Sequence, residues 1–147
     1  MKALLCGFDL SVLGFRNQTH TTVYTVPVGT KFYLDPVYFE SGILNTEIDV
    51  YSYGVVLFEL LCGMMVSDER SIGDDKPGPL IYLIRRYYDE GLEELIDPHI
   101  RDEIDVRSFN TFKEIACKCL SFNLQGRPTM DMIIQKIEEA LEFQASH

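Results

Sequence analysis

Residues 47–64 of this 147-residue chain read EIDVYSYGVVLFELLCGM and form its most apolar stretch. Their number suits one helix of about five turns, and aliphatic or aromatic residues fall on every side of that helix. A helix that is apolar nearly all round has to be covered on all sides by other elements. The stretch therefore predicts a central helix from Glu47 to about Met64, around which the rest of the chain packs.

Two further helices are predicted from the residues that begin and end them. Residues 77–79, Pro-Gly-Pro, start one helix whose apolar residues recur at helical spacing until Gly91 offers a stop. Ser108 or Thr111 opens the next, and Thr111 with Glu114 three residues later fits a capping box. Both patterns are typical of amphipathic helices that pack one face on a core.

The two ends of the chain complete the expected architecture. Thr129 caps a last helix, and the residues predicted to share its inward face are Met130, Ile133, Ile134, Ile137 and Leu141. Short apolar runs at 2–6 and 10–13 flank a turn and predict two small strands, and the threonine-rich residues 14–34 predict a loop. The sequence therefore predicts a mainly α-helical domain with a short β-hairpin fragment at its N-terminus.

The composition is that of one ordinary acidic domain. Hydrophobic residues make up 46% of the chain, and its 8 Tyr and 9 Phe suffice for a real core. The net charge of −10 arises in residues 47–105, which carry five basic and fifteen acidic groups. Such a chain is repelled by phosphate backbones and anionic membrane surfaces, so we expect no nucleic-acid partner.

No feature of the sequence predicts insertion into a membrane or a disulfide framework. The longest uncharged run in the apolar stretch, residues 50–58, is far shorter than the ~18 residues of a spanning helix. The first ten residues turn acidic too soon for a secretory signal, so a cytoplasmic location is expected. The four cysteines fit buried, reduced thiols, and the pair Cys117 and Cys119 lacks the other half of a zinc site.

Four groups of residues, in order and at fitting separations, resemble the second half of a protein kinase domain of the plant receptor-like serine/threonine type. They are Gly29-Thr30 with Tyr33-Leu34-Asp35-Pro36, then Asp49 to Glu59, then Leu95-Ile96-Asp97-Pro98, and finally Cys119-Leu120 with Arg127-Pro128-Thr129-Met130. The resemblance covers essentially the whole chain. It implies one partial kinase domain over 1–147, the C-terminal lobe without the N-terminal lobe, with an activation segment at 7–37 and a helical lobe at 38–145.

The resemblance assigns this chain no catalytic residue, cofactor-binding residue or metal ligand. ATP and magnesium serve the parent family, but the glycine-rich loop, the strand lysine and the His-Arg-Asp loop that use them are not found in residues 1–147. The metal-binding Asp-Phe-Gly motif is altered to Gly7-Phe8-Asp9, which leaves Gly7 at the metal-ligand position. Asp9 is a poor substitute, because two residues of extended chain displace it by roughly 6.6 Å and magnesium needs bonds of about 2.1 Å.

A second departure from the family concerns a structural ion pair. Asp35-Pro36-Val37 stands where the family has Ala-Pro-Glu, and that glutamate forms a buried pair with the arginine that matches Arg127. Pro36 is retained, but the glutamate is Val37. Because removing one member of a buried pair costs about 3–5 kcal/mol, we expect that Arg127 turns to water or that Asp35 or Glu40 compensates.

Three more residues take roles from the resemblance. Asp49 matches the family aspartate that begins the central helix and holds the catalytic loop, and without that loop its expected role is that of an acid favoured in a first helical turn. Gly29 and Thr30 match the substrate-facing loop, in which Thr30 would contact the catalytic groups. Lys31 and Phe32 then replace an aromatic residue and a glycine, so the substrate platform itself departs from the family.

The activation segment also suggests phosphorylation sites. Family members are phosphorylated in the region that here holds Thr19, Thr21, Thr22, Tyr24 and Thr25. A phosphate adds about −1.5 to −2 charge and orders a loop only beside basic groups. Arg16 and Lys31 are the local candidates, and the alternative is a solvated threonine-rich loop.

Three functions remain open from the sequence. The chain could be a piece of a kinase that phosphorylates proteins with ATP, a pseudokinase fragment that acts as a protein-interaction module, or a truncated product without a role. Taken alone, it is expected to be inactive, because phosphoryl transfer needs a positioned nucleotide, metal and base.

The expected partners follow from the same resemblance. In the family, part of the cover of the central helix lies upstream, so its absence should leave an apolar patch for another kinase or the missing lobe. Association with the plasma membrane would come only through a transmembrane region of the parent protein.

Overall fold

The computed structural model describes residues 3–13, 22–71, 77–89 and 91–146. Within them lie five α-helices, which are α1 (Pro36–Ser41), α2 (Thr46–Cys62), α3 (Leu80–Arg86), α4 (Val106–Cys119) and α5 (Met130–Ala145). Strands are minimal: β1 (Val23–Tyr24) pairs antiparallel with β2 (Ile43–Leu44), and β3 (Glu69–Arg70) pairs antiparallel with β4 (Gly78–Pro79). The mainly helical prediction is confirmed.

Helix α2 lies at the centre, as its composition predicts. Gly63, with φ 63°, ends it in the left-handed conformation that glycine adopts without strain. Gly54 lets α2 approach α4 closely, because a Cβ there would lie 2.6 Å from the Cβ of Cys119. The buried residues of α2 are Ile48, Val50, Tyr51, Gly54, Val55, Leu57, Phe58, Leu61 and Cys62.

The core consists of two clusters that share α2. The larger one joins α2 to α3, to the turn at Leu92–Leu95 and to α4. The smaller one joins α2, α4 and α5 through Val50, Ile115, Cys119 and Ile133. Three cysteines are buried in this core and unpaired, whereas Cys6 is exposed. Burial raises the pKa of the Cys62 and Cys119 thiols to about 12 and that of Cys117 to about 11.

The predicted strands at 2–6 and 10–13 are wrong for the residues that are described there. Residues 3–13 are exposed and contain only one 3₁₀ turn, Phe8–Leu10. An isolated two-stranded hairpin is at best marginally stable in water, and no third strand adjoins this segment in the described part of the chain. Antiparallel pairing does occur, but between residues of later segments.

The helix boundaries also need correction. Helix α4 starts at Val106, where the Asp105 carboxylate accepts hydrogen bonds from the Arg107 and Ser108 amides, so the capping box predicted at Thr111 is wrong. Helix α3 ends at Arg86, before the predicted stop at Gly91. Asp105 is the better cap because its charged acceptor satisfies two of the amides that a helix start leaves free.

The predicted inward face of α5 is right in part. Ile133 and Ala140 are buried and Ile137 packs on the core, but Met130, Ile134 and Leu141 are exposed. Those three form a neighbouring stripe, about a third of a turn or less from the buried one. Helix α4 is the main partner of α5, and one partner covers only one side of a helix.

Candidate functional site

The loop between β1 and α1 carries Gly29 and Thr30, and its end is fastened to the core. The Thr30 carbonyl accepts hydrogen bonds from the Tyr33 and Leu34 amides at 3.2 and 3.1 Å. The Ser52 hydroxyl of α2 donates to the Tyr33 carbonyl at 2.8 Å. Gly29 and Thr30 themselves are exposed. The structure therefore holds the residues that resemble a substrate loop at the surface, on a rigid base.

A second anchor joins the same loop to the far end of α2. The Tyr33 hydroxyl and the Val66 amide both donate to Oε1 of Glu59, each at 2.6 Å. Partial burial and this hydrogen bond to a carboxylate raise the pKa of Tyr33 to about 12. Both residues belong to the motifs quoted above, but their contact was not predicted, because a contact over 26 residues leaves no local pattern.

Arg127 is compensated, and Asp35 is the residue that compensates it. Both side chains are fully buried and form an ion pair in which Nη1 of Arg127 donates to the Asp35 carboxylate. Arg127 also donates to the Glu47 and Ser121 carbonyls, each at 2.8 Å. The alternatives are wrong: Arg127 does not turn to water, and Glu40 lies on the exposed side of α1.

Asp35 has a second task in this arrangement. Its other carboxylate oxygen accepts from the Val37 amide at 2.8 Å and so caps α1, with Pro36 at the first helical position. One side chain thus starts the helix and neutralises the buried guanidinium. Nη2 of Arg127 is buried without a hydrogen-bond partner among the described residues. Val37 stands where the family glutamate would supply a carboxylate.

Phe32, three residues before Asp35 in the chain, adopts a strained backbone conformation. Its φ of 75° is the one positive value outside glycine in the described residues. The left-handed region costs a residue with a side chain roughly 1–2 kcal/mol, which is the physical reason that glycine suits this position. The Phe32 ring packs against the core cluster and lies 4.9 Å from Nζ of Lys31.

The face of α2 that points away from α4 is open. Leu60 is 70% exposed, and Tyr53 and Val56 are each 37% exposed. Asp49, also exposed, lies one turn before Tyr53 in the first turn of the helix, where an acid is favoured by the helix dipole. The expectation of cover on all sides is thus wrong for this face, which exposes three apolar side chains.

Residues 7–9 lie in the exposed segment at the start of the described chain. Gly7 has a φ of 75° and Asp9 is exposed in the 3₁₀ turn. Across the described ranges, no three His, Cys, Asp or Glu side chains are grouped so that they could hold a metal ion. The same ranges contain no helix whose length and hydropathy would let it span a bilayer.

The suggested phosphorylation sites are only partly visible. Thr22, Tyr24 and Thr25 are exposed, and Tyr24 in β1 is 78% exposed. Thr19, Thr21 and the basic candidate Arg16 lie outside the described residues.

Comparisons with known proteins agree with the motif analysis. The family profile described as "Protein kinase domain" matches residues 5–137. The receptor-like protein kinase ANXUR1 of Arabidopsis thaliana is 34% identical over 148 residues, which is 97% of this chain. The receptor-like protein kinase FERONIA and the wall-associated receptor kinase-like 14 of the same plant are each 35% identical, over 98% and 92% of this chain. The chain spans only 16%, 16% and 19% of these relatives.

Proposed function

Because the chain belongs to the protein kinase domain family, we propose that it is the C-terminal-lobe part of a receptor-like serine/threonine kinase and serves as a docking surface. The reaction of the longer protein would be ATP- and magnesium-dependent phosphorylation of protein side chains. This part would contribute the substrate loop around Gly29 and Thr30. The activation-segment sites Thr22, Tyr24 and Thr25 would then be regulatory phosphorylation sites of that protein.

We propose further that the chain alone transfers no phosphate. The chemistry needs a positioned nucleotide, a metal and a base, and Gly7 supplies no carboxylate at the position where the family has its metal ligand. Asp9 is exposed in its turn and belongs to no group of three potential metal ligands among the described residues. The chain would act through binding.

The observation that carries the proposal is the open apolar face of α2. Tyr53, Val56 and Leu60 lie three and four residues apart and so form one stripe. Contiguous apolar surface of this kind marks an interaction site in soluble proteins. The occupant proposed is the upstream part of a kinase domain, which would bury the stripe and restore a complete domain.

The test combines binding with an activity assay. The chain is co-expressed with an upstream segment of a receptor-like kinase domain that carries a glycine-rich loop and a catalytic loop, and complex formation is followed by size-exclusion chromatography with light scattering. We expect a 1:1 complex that Leu60→Glu abolishes and Tyr82→Glu leaves intact, because Tyr82 is 64% exposed on another helix. Absence of a complex, or equal loss with both variants, contradicts the docking face.

Phosphoryl transfer is tested separately on the purified chain. With labelled ATP and magnesium we expect no incorporation into the chain or into a generic protein substrate. Incorporation that persists after repurification would contradict the proposed inactivity while leaving the docking result untouched.

A further inference from the structure

A cavity of about 500 Å³ opens beside the substrate-like loop, away from the exposed stripe of α2. Its wall includes Phe32, Leu34, Pro36, Phe39, Ile81 and Tyr82 from the loop, α1 and α3, and Tyr51 of α2 also lines it. The volume lies within the range of about 300–1,000 Å³ that ligand pockets show. It is large enough to admit a bulky side chain together with part of the backbone that carries it.

Two cations line the cavity without an acidic partner. Lys31 and Arg85 are both exposed, and neither forms an ion pair within the described part of the chain. Their close contacts are with aromatic residues: Nζ of Lys31 lies 4.9 Å from the Phe32 centroid, and Cζ of Arg85 lies 4.6 Å from the Phe122 centroid. The Arg85 side chain also forms a hydrogen bond with the Tyr51 hydroxyl, which carries no charge. No residue that lines the cavity is acidic. The mouth is therefore positive in a chain with a net charge of −10.

The backbone beside the cavity is also free to bind. Residues 25–28 are irregular and without turn structure, and the amides of Val28, Gly29 and Lys31 donate to no acceptor in the ranges that the structure describes. Unpaired backbone groups beside a pocket are what an incoming extended peptide uses for main-chain hydrogen bonds. This favours a protein segment over a small molecule.

We propose that the cavity binds an acidic segment of a partner protein, in which a large apolar side chain is followed or preceded by Glu or Asp. The apolar side chain enters between Phe32 and Tyr82, and the carboxylate lies against Lys31 and Arg85. Selection of an acidic residue depends on Lys31 and Arg85, whereas Phe32 contacts the apolar side chain. Lys31 and Phe32 are the two positions at which the loop departs from the family. The inference rests on the proposed role of the loop around Gly29 and Thr30 in binding protein segments, and it depends neither on the docking face of α2 nor on phosphoryl transfer.

The net charge of the chain opposes the proposed preference, so the test separates specific from non-specific binding. Three fluorescein-labelled peptides of one length are compared by fluorescence anisotropy with the whole chain: Gly-Ser-Glu-Phe-Glu-Ser-Gly, the same peptide with Lys for both Glu, and the same peptide with Ala for Phe. A chain of −10 charge attracts the basic peptide non-specifically. We expect the acidic Phe peptide to bind at least about fivefold more tightly than either of the others, with a difference that shrinks as salt rises.

Variants then assign the binding to the cavity. Each exposed charge pair contributes little to binding. We therefore expect Lys31→Met and Arg85→Met to reduce the affinity for the acidic peptide about two- to fivefold singly and roughly 4- to 25-fold together. Arg86→Met is the matched control, because Arg86 is exposed on the same helix and does not line the cavity. Circular dichroism confirms that each variant is folded.

The proposal is overturned by tighter binding of the basic peptide, by an unchanged affinity in the Lys31→Met/Arg85→Met chain, or by an equal loss with Arg86→Met. Binding of a phosphoserine version of the peptide without binding of the glutamate version would equally contradict it. None of these results bears on the complex through α2, which is tested with Leu60→Glu.

Discussion

The buried pair of Asp35 and Arg127 yields the sharpest test of the fold. Asp35→Asn keeps a side-chain oxygen that can cap α1 but removes the charge that faces the guanidinium. Leaving one member of a buried pair uncompensated costs about 3–5 kcal/mol. For a domain of this size, that corresponds to a fall in Tm of roughly 6–20 °C. Asp35→Ala also removes the cap and should lose about 1 kcal/mol more.

The magnitude follows from the surroundings of the two groups. Both side chains are fully buried, so water cannot solvate the guanidinium that remains. The carbonyls of Glu47 and Ser121 still accept from it, but they carry no compensating charge. The penalty is therefore expected at the scale of a stranded charge and above that of one lost neutral hydrogen bond, about 0.5–1.5 kcal/mol.

The assay is urea unfolding followed by circular dichroism, with Asp102→Asn as a control because Asp102 is exposed. The control should change the free energy of unfolding by less than about 0.5 kcal/mol. A double-mutant cycle compares the single variants with the double variant Asp35→Asn/Arg127→Met. The loss of unfolding free energy in the double variant should be smaller than the sum of the two single losses by at least ~2 kcal/mol.

A rescue variant tests the same reasoning from the other side. Val37→Glu restores the family carboxylate, and the unpartnered Nη2 of Arg127 is the group available to it. Added to Asp35→Asn, it should recover at least about 1 kcal/mol. A loss below ~1 kcal/mol for Asp35→Asn, together with no coupling in the cycle, would refute the assignment of Asp35 as the compensating acid.

Two further predictions concern packing and pH. Gly54→Ala should destabilise the chain by about 1–3 kcal/mol in thermal unfolding, since its Cβ would lie 2.6 Å from the Cβ of Cys119, whereas Gly126→Ala, with its nearest contact at 3.5 Å, should be near neutral. The pKa of Tyr33 is raised from 10.0 to about 12, so its contribution to stability is fully present below about pH 10 and is lost as the pH rises through 12. Glu59→Gln should lower that pKa, as measured by tyrosinate absorbance near 295 nm, and an unchanged titration would contradict the contact.

How far the sequence predicts the site depends on how local each feature is. The central helix and the motif order are visible in the chain, because apolar periodicity and fixed spacings are properties of neighbouring residues. The need to compensate Arg127 follows from the family resemblance, which implies that this arginine is buried, and a buried charge requires a partner. The sequence does not show whether Asp35, Glu40 or water would compensate Arg127. Asp35 and Arg127 lie 92 residues apart, and only folding brings them together.

The remaining errors have the same origin. The prediction of strands at 2–6 and 10–13 rests on local propensity. A strand is stable only when it pairs with other strands, and none pairs with this segment in the described part of the chain. The predicted inward face of α5 includes residues that are exposed in the structure. The width of a buried stripe depends on how many elements pack on the helix, which the sequence of that helix does not show. The cavity between Phe32 and Arg85 had no local signal at all.

The sequence by itself determined a mainly helical chain of the kinase domain family with a central apolar helix. It also showed that the metal-binding motif is changed to Gly7-Phe8-Asp9 and that an acid precedes Pro36, where the family has one after the proline. Only the tertiary structure decided that Asp35 neutralises Arg127, that Phe32 takes a left-handed conformation beside a positively charged cavity, and that α2 keeps one apolar face open. The physical reason is that helix formation and motif spacing are local along the chain. Charge compensation, cavity shape and exposure arise from groups that folding brings together from distant positions.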